Sequence, residues 1–308
     1  VITTAKARSG RAPRPRDRKD ANLNPLPDLN VSKVILPQVP PCDVILEYKK
    51  YHLTKTFLEK LLPPNIRACS LKLGGHKAEV QLAGASAPEG SGLAVLNAGC
   101  YVSCVAWSPC GLVLALAVHN REKPAMPAEG PVTGMGTLQL WRTDLGKSPA
   151  AQLRMGLVHE GACARSLQWL PSKRTQERLG LLLAALGNGE VCMYSLPRNA
   201  FDEKALSRAL LFARFKPAWT ASCVPTGADP AMWERHLQCA AVRADARDPH
   251  GATVAAGSEK SVVLIWRLKG KGSLETGPCE VLKPSLLDAD MVVSLAWCPS
   301  SGEELLVA

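Results

Sequence analysis

The sequence predicts an all-β protein built from repeated short sheets, and three observations support this prediction. One phrase recurs, as "YVSCVAWSPC" at 101–110 and "VVSLAWCPSS" at 292–301. Strand-like apolar runs follow one another without the 10–15-residue amphipathic helices that a parallel α/β fold needs between its strands. The hydrophobic fraction of 46% is enough for a core, and five of the seven Trp residues stand at repeated places.

Residues 1–30 are predicted to be a disordered basic arm, because Pro, Gly and Asn interrupt the segment and few apolar residues are available to bury. Residues 1–60 hold twelve Lys and Arg against six Asp and Glu, so +6 of the net charge of +10 lies there. This charge suggests weak DNA binding, although a nuclear-localisation signal or a solubilising tail fits equally well. The predicted DNA-binding residues are Lys6, Arg8, Arg11, Arg14, Arg16, Arg18 and Lys19.

Residues 31–65 read as a Pro-rich linker with a possible short helix that ends before Pro63. Strand-like runs begin at about residue 66 with "ACSLKL" and "AEVQLAG", and the repeated sheets are predicted to occupy 66–308.

Each repeated unit reads as three strands. The first alternates apolar and polar residues and ends in a Trp before a Pro, the second is continuously apolar, and the third ends in an aromatic residue. The first-strand Trp residues are Trp107, Trp169 and Trp297, and the third-strand aromatics are Trp141, Tyr194 and Trp266. Middle strands such as "LVLALAV" and "GLLLAAL" predict burial on both faces. Asn188-Gly189 predicts a tight hairpin after the second of these.

A single sheet of this kind cannot bury both of its faces, so the units must stack. Radial stacking predicts a WD-repeat β-propeller with four-stranded blades, here about three blades and a partial fourth. Loops at 119–135 and 198–235 account for the long spacing between units. The chain starts without Met and stops within a unit, so we expect a fragment of a longer protein.

No catalytic, cofactor or metal site is predicted. The six His residues are dispersed, and Gly134 and Gly136 precede a strand and are interpreted as hairpin glycines, not as a dinucleotide site. Cys100, Cys104 and Cys110 form the one close group of thiols. Cys104 is predicted to lie in a strand and Cys110 in a turn, so their side chains should point apart, which favours core thiols over metal ligands. The eleven Cys show no C-x-x-C pair, which favours a reducing compartment. No apolar run reaches 18 residues, so no membrane span is expected.

His159 stands shortly before a predicted first strand, in "HEGACARSLQW". We expect it to belong to a structural polar network within a blade, with a catalytic role as the alternative.

The motifs of the two central units resemble those of the WD-repeat subunit 2 family of general transcription factor IIIC. The matching places are Trp107 to Pro109, Val118-His119, Gly136 to Trp141, His159 to Pro171, Arg178 to Leu183 and Tyr194 to Pro197. The resemblance covers roughly residues 100–308. Ser108 and Leu170 replace the Cys that the family places before the blade Pro, which concerns packing and no active site.

The resemblance implies a nuclear, non-enzymatic scaffold without a cofactor or small-molecule substrate. Its partners would be the other transcription factor IIIC subunits, with DNA contacted indirectly or through the basic arm. Such a protein supports RNA polymerase III transcription of transfer-RNA and 5S-type genes. Two alternatives stay open, a generic WD-repeat adaptor in another nuclear or cytoplasmic complex and an enzyme with a site in the propeller channel.

Overall fold

The computed structural model describes residues 68–73, 76–81, 85–86, 94–119, 134–144, 150–170, 178–201, 211–215, 217–222, 237–244, 252–258, 262–268, 280–282, 292–298 and 305–307. Strands dominate this part of the chain, with one short 3-10 helix at Arg198–Phe201. The predicted arm at 1–30 and the linker at 31–65 lie outside the described residues.

The strands form two short hairpins followed by a series of blades. The hairpins are β1 (Ala68–Leu73) with β2 (His76–Gln81) and β3 (Ala85–Ser86) with β4 (Val95–Leu96). The first blade contains β5 (Tyr101–Trp107), β6 (Val113–His119), β7 (Met135–Asp144) and β8 (Ala150–Glu160). The second contains β9 (Ala164–Leu170), β10 (Arg178–Leu186), β11 (Glu190–Pro197) and β13 (Trp219–Ser222). β12 (Leu211–Arg214) lies between β11 and β13 in the sequence but is not part of this blade. The third contains β14 (Leu237–Ala244), β15 (Ala252–Ser258), β16 (Val263–Leu268) and β17 (Glu280–Leu282), and β18 (Leu295–Trp297) with β19 (Leu305–Val307) begins a fourth.

Each of the first three blades is an antiparallel meander with its first strand at one edge of the sheet. One strand departs from this pattern, because β12 follows the second blade in sequence but pairs in parallel with β8 of the first. The first blade therefore has five strands. The expectation of a plain loop at 198–235 is wrong, since this stretch contains the 3-10 helix, β12 and β13.

The three blades share one register. The equivalent rungs across the first three strands are Trp107–Leu114–Trp141, Trp169–Leu182–Tyr194 and Val242–Val254–Trp266. The predicted unit is thus a structural repeat. The third blade differs at one place, because Val242 stands where the first two blades have a Trp.

The blades pack face to face, and the middle strand of the second blade shows how. Leu182 belongs to the core shared with the first blade, whereas its neighbour Leu183 belongs to the core shared with the third. Successive side chains of a strand point to opposite faces, so a continuously apolar strand serves two cores at once. The predicted double burial is confirmed, and so is the fold, a partial WD-repeat β-propeller.

Candidate functional site

The first strands of consecutive blades lie side by side, in the order β5, β9, β14 and β18. We call them the inner strands. A hydroxyl or thiol donor links each to the next. The links run from Ser103 Oγ to the Ala164 carbonyl at 2.6 Å, from Ser166 Oγ to the Ala240 carbonyl at 3.3 Å, and from Cys239 Sγ to the Val292 carbonyl at 3.6 Å. The inner strands are thus joined by a repeated hydrogen bond from each blade to the following one.

The second and third blades share a further pair of hydrogen bonds. The side-chain amide of Gln168 donates to the Val242 carbonyl at 3.2 Å and accepts from the Val242 backbone nitrogen at 2.7 Å. An amide side chain has both a donor and an acceptor, so it can pair with a backbone group much as a neighbouring strand would. Gln168 therefore joins the blades at the rung where the third blade lacks a Trp.

The Trp residues of the inner strands face the preceding blade. Trp169 is 8% exposed, and its Nε1 donates to the Ala106 carbonyl of the first blade at 3.1 Å. The guanidinium carbon of Arg243 lies 4.3 Å from the ring centroid of Trp297, a cation–π contact with the third blade. Trp107 occupies the equivalent place in the first blade but is 45% exposed. It is the one inner-strand Trp of the described blades that no inner strand covers.

Trp107 is part of a larger exposed apolar face on β5. Val105 is 58% exposed and Val102 is 45% exposed. Val105 pairs with Leu116, and residues that pair directly across two strands lie on the same face of the sheet. Leu116 packs with Leu96 of β4, so the short hairpin covers the middle of the blade and leaves its inner strand open. We call Val102, Val105 and Trp107 the β5 face.

The third-strand aromatics are buried. Trp141 donates from Nε1 to Gln139 Oε1 at 3.0 Å, and the Gln139 amide donates to the Ala98 carbonyl at 2.8 Å. Trp266 meets Trp219 edge to face, with ring centroids 6.1 Å apart. Tyr194 belongs to the core between the first and second blades. In the described structure these side chains pack the blades together.

His159 lies near the end of β8, the fourth strand of the first blade. Its Nδ1 is 3.2 Å from the Glu160 carbonyl, and its Nε2 has no hydrogen-bond partner among the described residues. Burial lowers the pKa of the imidazole to about 4, so the ring is neutral at pH 7. A Cβ on Gly136 would lie 2.5 Å from His159 Cε1 and 2.6 Å from the Ala162 carbonyl oxygen. Gly136 is therefore needed for this close approach, while a wider polar network around His159 stays a prediction.

Three enclosed thiols of the blades are poor nucleophiles. Burial raises the pKa of Cys104 to about 12 and the pKa values of Cys192 and Cys239 to about 11. A thiol, and not a thiolate, is then present near neutral pH. Cys110 is exposed in the turn after β5. No group of three or more His, Cys, Asp or Glu in the described ranges could hold a metal ion.

The predicted DNA-binding residues, from Lys6 to Lys19, lie outside the described residues. In the part of the chain that the structure covers, no helix is long and apolar enough to cross a bilayer.

Sequence reasoning missed the donors that join the inner strands. Cys104, Ser166 and Ser294 each stand three residues before a blade Trp, and Cys239 stands three residues before Val242. Ser103, the donor of the first blade, is the neighbour of Cys104 at a β-bulge between Val102 and Cys104. A small hydrogen-bonding residue at this repeated position was the signal available in the sequence.

The chain has distant similarity to several solved structures. No protein-family model and no curated protein matches the chain. Among solved structures, Sqt1 of Chaetomium thermophilum aligns with a TM-score of 0.40 at 14% identity over 68% of this chain and 41% of that one. The WD40 domain of Toxoplasma gondii coronin aligns with a TM-score of 0.40 at 14% identity over 67% and 40%. The Cps50 (Swd1) β-propeller domain of Myceliophteria thermophila aligns with a TM-score of 0.43 at 15% identity over 78% and 65%. This chain spans less than two thirds of each, and the fold assignment above rests on strand order, register and packing.

Proposed function

We propose that this chain is a non-catalytic scaffold subunit of general transcription factor IIIC. It acts in the nucleus and supports RNA polymerase III transcription of transfer-RNA and 5S-type genes through protein–protein contacts. The observation that carries the proposal is the placement of the motifs that resemble the family. Gly136 to Trp141 and Arg178 to Leu183 fall within β7 and β10, and Tyr194 to Pro197 close β11.

The chemistry of the described side chains supports a scaffold more than an enzyme. The buried thiols have raised pKa values, and the His159 imidazole is enclosed and neutral. Ser103, Ser166 and Gln168, which could otherwise act on a substrate, donate to the backbone of a neighbouring blade. These groups hold the blades in place, and the loops and edges are left to bind partners.

The partners are tested by affinity purification. The tagged chain is recovered from nuclear extract at moderate salt, with an unrelated β-propeller as a matched bait. We expect the large transcription factor IIIC subunits and transfer-RNA gene DNA with this chain and not with the control. Recovery of a different stable complex would favour the alternative, a generic WD-repeat adaptor, and would refute the transcription proposal.

DNA contact is assigned to the basic arm. Binding by neutralisation of phosphates releases counterions, so affinity falls steeply as salt rises. Changing the seven basic residues between Lys6 and Lys19 to Gln should abolish duplex binding by the full chain at low salt and flatten the salt dependence. The control variant carries Gln at Lys49, Lys50, Lys55 and Lys60, and it should retain binding. Equal affinity of both variants, measured by fluorescence anisotropy, would remove DNA contact from the proposal.

A further inference from the structure

We propose that the outer edge of the first blade is a docking site for an extended peptide strand, and that β12 fills this site from within the chain. The edge consists of Met155 to Val158 of β8, with which β12 pairs, and we call it the β8 edge. A partner strand of the same chemistry takes the place of β12. The site does not depend on the proposed function, because it follows from how β12 is paired and anchored.

The first blade is complete without β12. Strands β5 to β8 form a four-stranded meander, and the second and third blades have four strands each. β12 comes instead from the connection between β11 and β13 of the second blade. It pairs with β8 in parallel, whereas the other described strand pairs are antiparallel. β12 is therefore an added strand, in the position that a bound peptide takes when it extends a sheet.

β8 is well suited to accept another strand because it is a long outer strand. It has 11 residues, whereas the outer strands of the second and third blades, β13 and β17, have four and three. Met155, Leu157 and Val158 are apolar and are buried where β12 lies alongside them. A long apolar edge with unpaired backbone groups pairs readily with any strand that reaches it. The β8 edge thus has to be covered, and here the chain supplies the cover itself.

The segments on both sides of β12 have anchors of their own. Before β12, Phe201 is buried in the core between the first and second blades, and Arg142 Nη1 donates to the Phe201 carbonyl at 2.8 Å. After β12, Phe215 packs against the same core, and the backbone nitrogen of Ala218 donates to the Met193 carbonyl at 2.8 Å. These contacts do not involve the β8 edge. β12 can therefore separate from β8 while both of its flanks stay in place.

The pairing between β12 and β8 is weak compared with the pairing inside the blade. Only four residues of β12 take part, and a parallel pair is slightly less stable per residue than an antiparallel one. Backbone groups that separate at the surface bond to water, which offsets most of the loss. β7, in contrast, pairs with β8 along its whole length from Ala150 to Glu160. β12 should therefore leave much more often than the blade opens.

The register of β12 defines the kind of partner that fits. Leu211 stands opposite Met155 and Phe212 stands opposite Gly156, which has no side chain. In strand addition, main-chain hydrogen bonds provide affinity and alternate side chains provide specificity. The partner is thus an extended segment that runs parallel to β8, lacks Pro, and has a large apolar residue opposite Gly156.

Hydrogen exchange of single amides, measured by NMR on the unmodified chain, tests whether β12 leaves β8. Successive N–H groups of a strand point to opposite neighbours, so those between Met155 and Val158 face β7 and β12 in turn. We expect the amides that face β12 to exchange at least about tenfold faster than those that face β7. Equal rates for both sets would overturn the proposal, because β12 would then leave only when the blade opens.

A disulfide that locks β12 in place provides the control. Val158→Cys and Arg214→Cys change two residues that stand opposite each other in the register. In the oxidised form, the amides that face β12 should slow to the rate of those that face β7, and reduction should restore their fast exchange. Fast exchange that persists in the oxidised form would contradict the separation of β12.

A labelled peptide with the sequence of residues 209–216, ALLFARFK, tests the docking site by fluorescence anisotropy. The β8 edge is opened by Phe212→Pro together with Ala213→Pro. Since successive N–H groups alternate in direction, two adjacent Pro residues remove one that faces β8 whichever of them it is. We expect the peptide to bind this variant at least about tenfold more tightly than the unmodified chain, whose edge is already filled.

The matched control is the same peptide with Pro at both of these positions, which should bind neither protein. Slow hydrogen exchange in β10, which packs in both cores, shows that the opened variant is folded. Failure of the folded variant to bind the unmodified peptide would overturn the proposal. Equal binding of the two peptides would also overturn it, because the contact would then not be a strand pairing.

Discussion

Two Trp residues at the same rung of consecutive blades give a direct test of the packing between inner strands. Trp169 is covered by the first blade and donates to the Ala106 carbonyl, whereas Trp107 is about half exposed and uncovered. Changing each to Phe removes the indole N–H and the larger ring at two positions that differ mainly in whether a preceding inner strand covers them.

The expected cost of Trp169→Phe follows from its contacts. Loss of the hydrogen bond costs about 0.5–1.5 kcal/mol, and more if the Ala106 carbonyl is left without a partner. The smaller ring leaves a gap in an enclosed site, which adds about 1 kcal/mol. The free energy of unfolding should therefore fall by about 2–3 kcal/mol. Trp107→Phe loses neither a partner nor an enclosed volume, so its effect should stay within about 0.5 kcal/mol.

Urea unfolding followed by far-UV circular dichroism measures both variants without depending on Trp fluorescence. A loss of stability for Trp107→Phe equal to that for Trp169→Phe would refute the account of the inner strands. So would a Trp169→Phe variant as stable as the unmodified chain.

Three further predictions concern single residues. Gly257→Ala would place a Cβ about 2.8 Å from Val292 Cβ, so we expect the free energy of unfolding to fall by about 1–3 kcal/mol. Backbone amides at 295–297 should also exchange hydrogen faster, and unchanged exchange there would contradict the packing of the fourth blade. His159 has a pKa of about 4 when folded, below its usual 6.5, so the unfolded state binds more protons between these values and stability falls as pH drops. Between pH 7 and pH 5 this loss should be about 2 kcal/mol and should be absent from His159→Gln, as urea unfolding at each pH would show; equal losses in both proteins would contradict it. Alkylation of the folded protein, mapped by peptide mass spectrometry, should modify exposed Cys110 well before Cys192, which is buried and whose pKa is raised to about 11. Equal rates at the two thiols would contradict this prediction and would mean that the second blade opens readily.

The repeated blades could be predicted from the sequence because their signals are local. Alternation in "VSCVAW" specifies a strand, the continuously apolar "GLLLAAL" specifies a strand that is buried on both faces, and Asn188-Gly189 specifies the turn between β10 and β11. The position of β12 could not be predicted, because its four residues pair with a strand of another blade more than fifty residues away. Local pattern contains no information about such a partner.

The exposure of the β5 face also depends on distant parts of the molecule. Trp107 and Trp169 occur in nearly the same local sequence, yet one is exposed and the other enclosed. The difference lies in which inner strand precedes each of them. His159 stands shortly before the inner strand β9, as expected, and the register of β7 and β8 also places it opposite Gly136 near the end of a fourth strand, a pairing that local sequence does not show.

Transcription of a transfer-RNA gene in nuclear extract tests the central functional claim most directly. The extract is depleted of this protein, and the purified protein with its associated subunits is then added back. Depletion should abolish synthesis by RNA polymerase III and leave a gene of RNA polymerase II unaffected, and the addition should restore it. Undiminished transfer-RNA synthesis in the depleted extract would contradict the assignment to transcription factor IIIC.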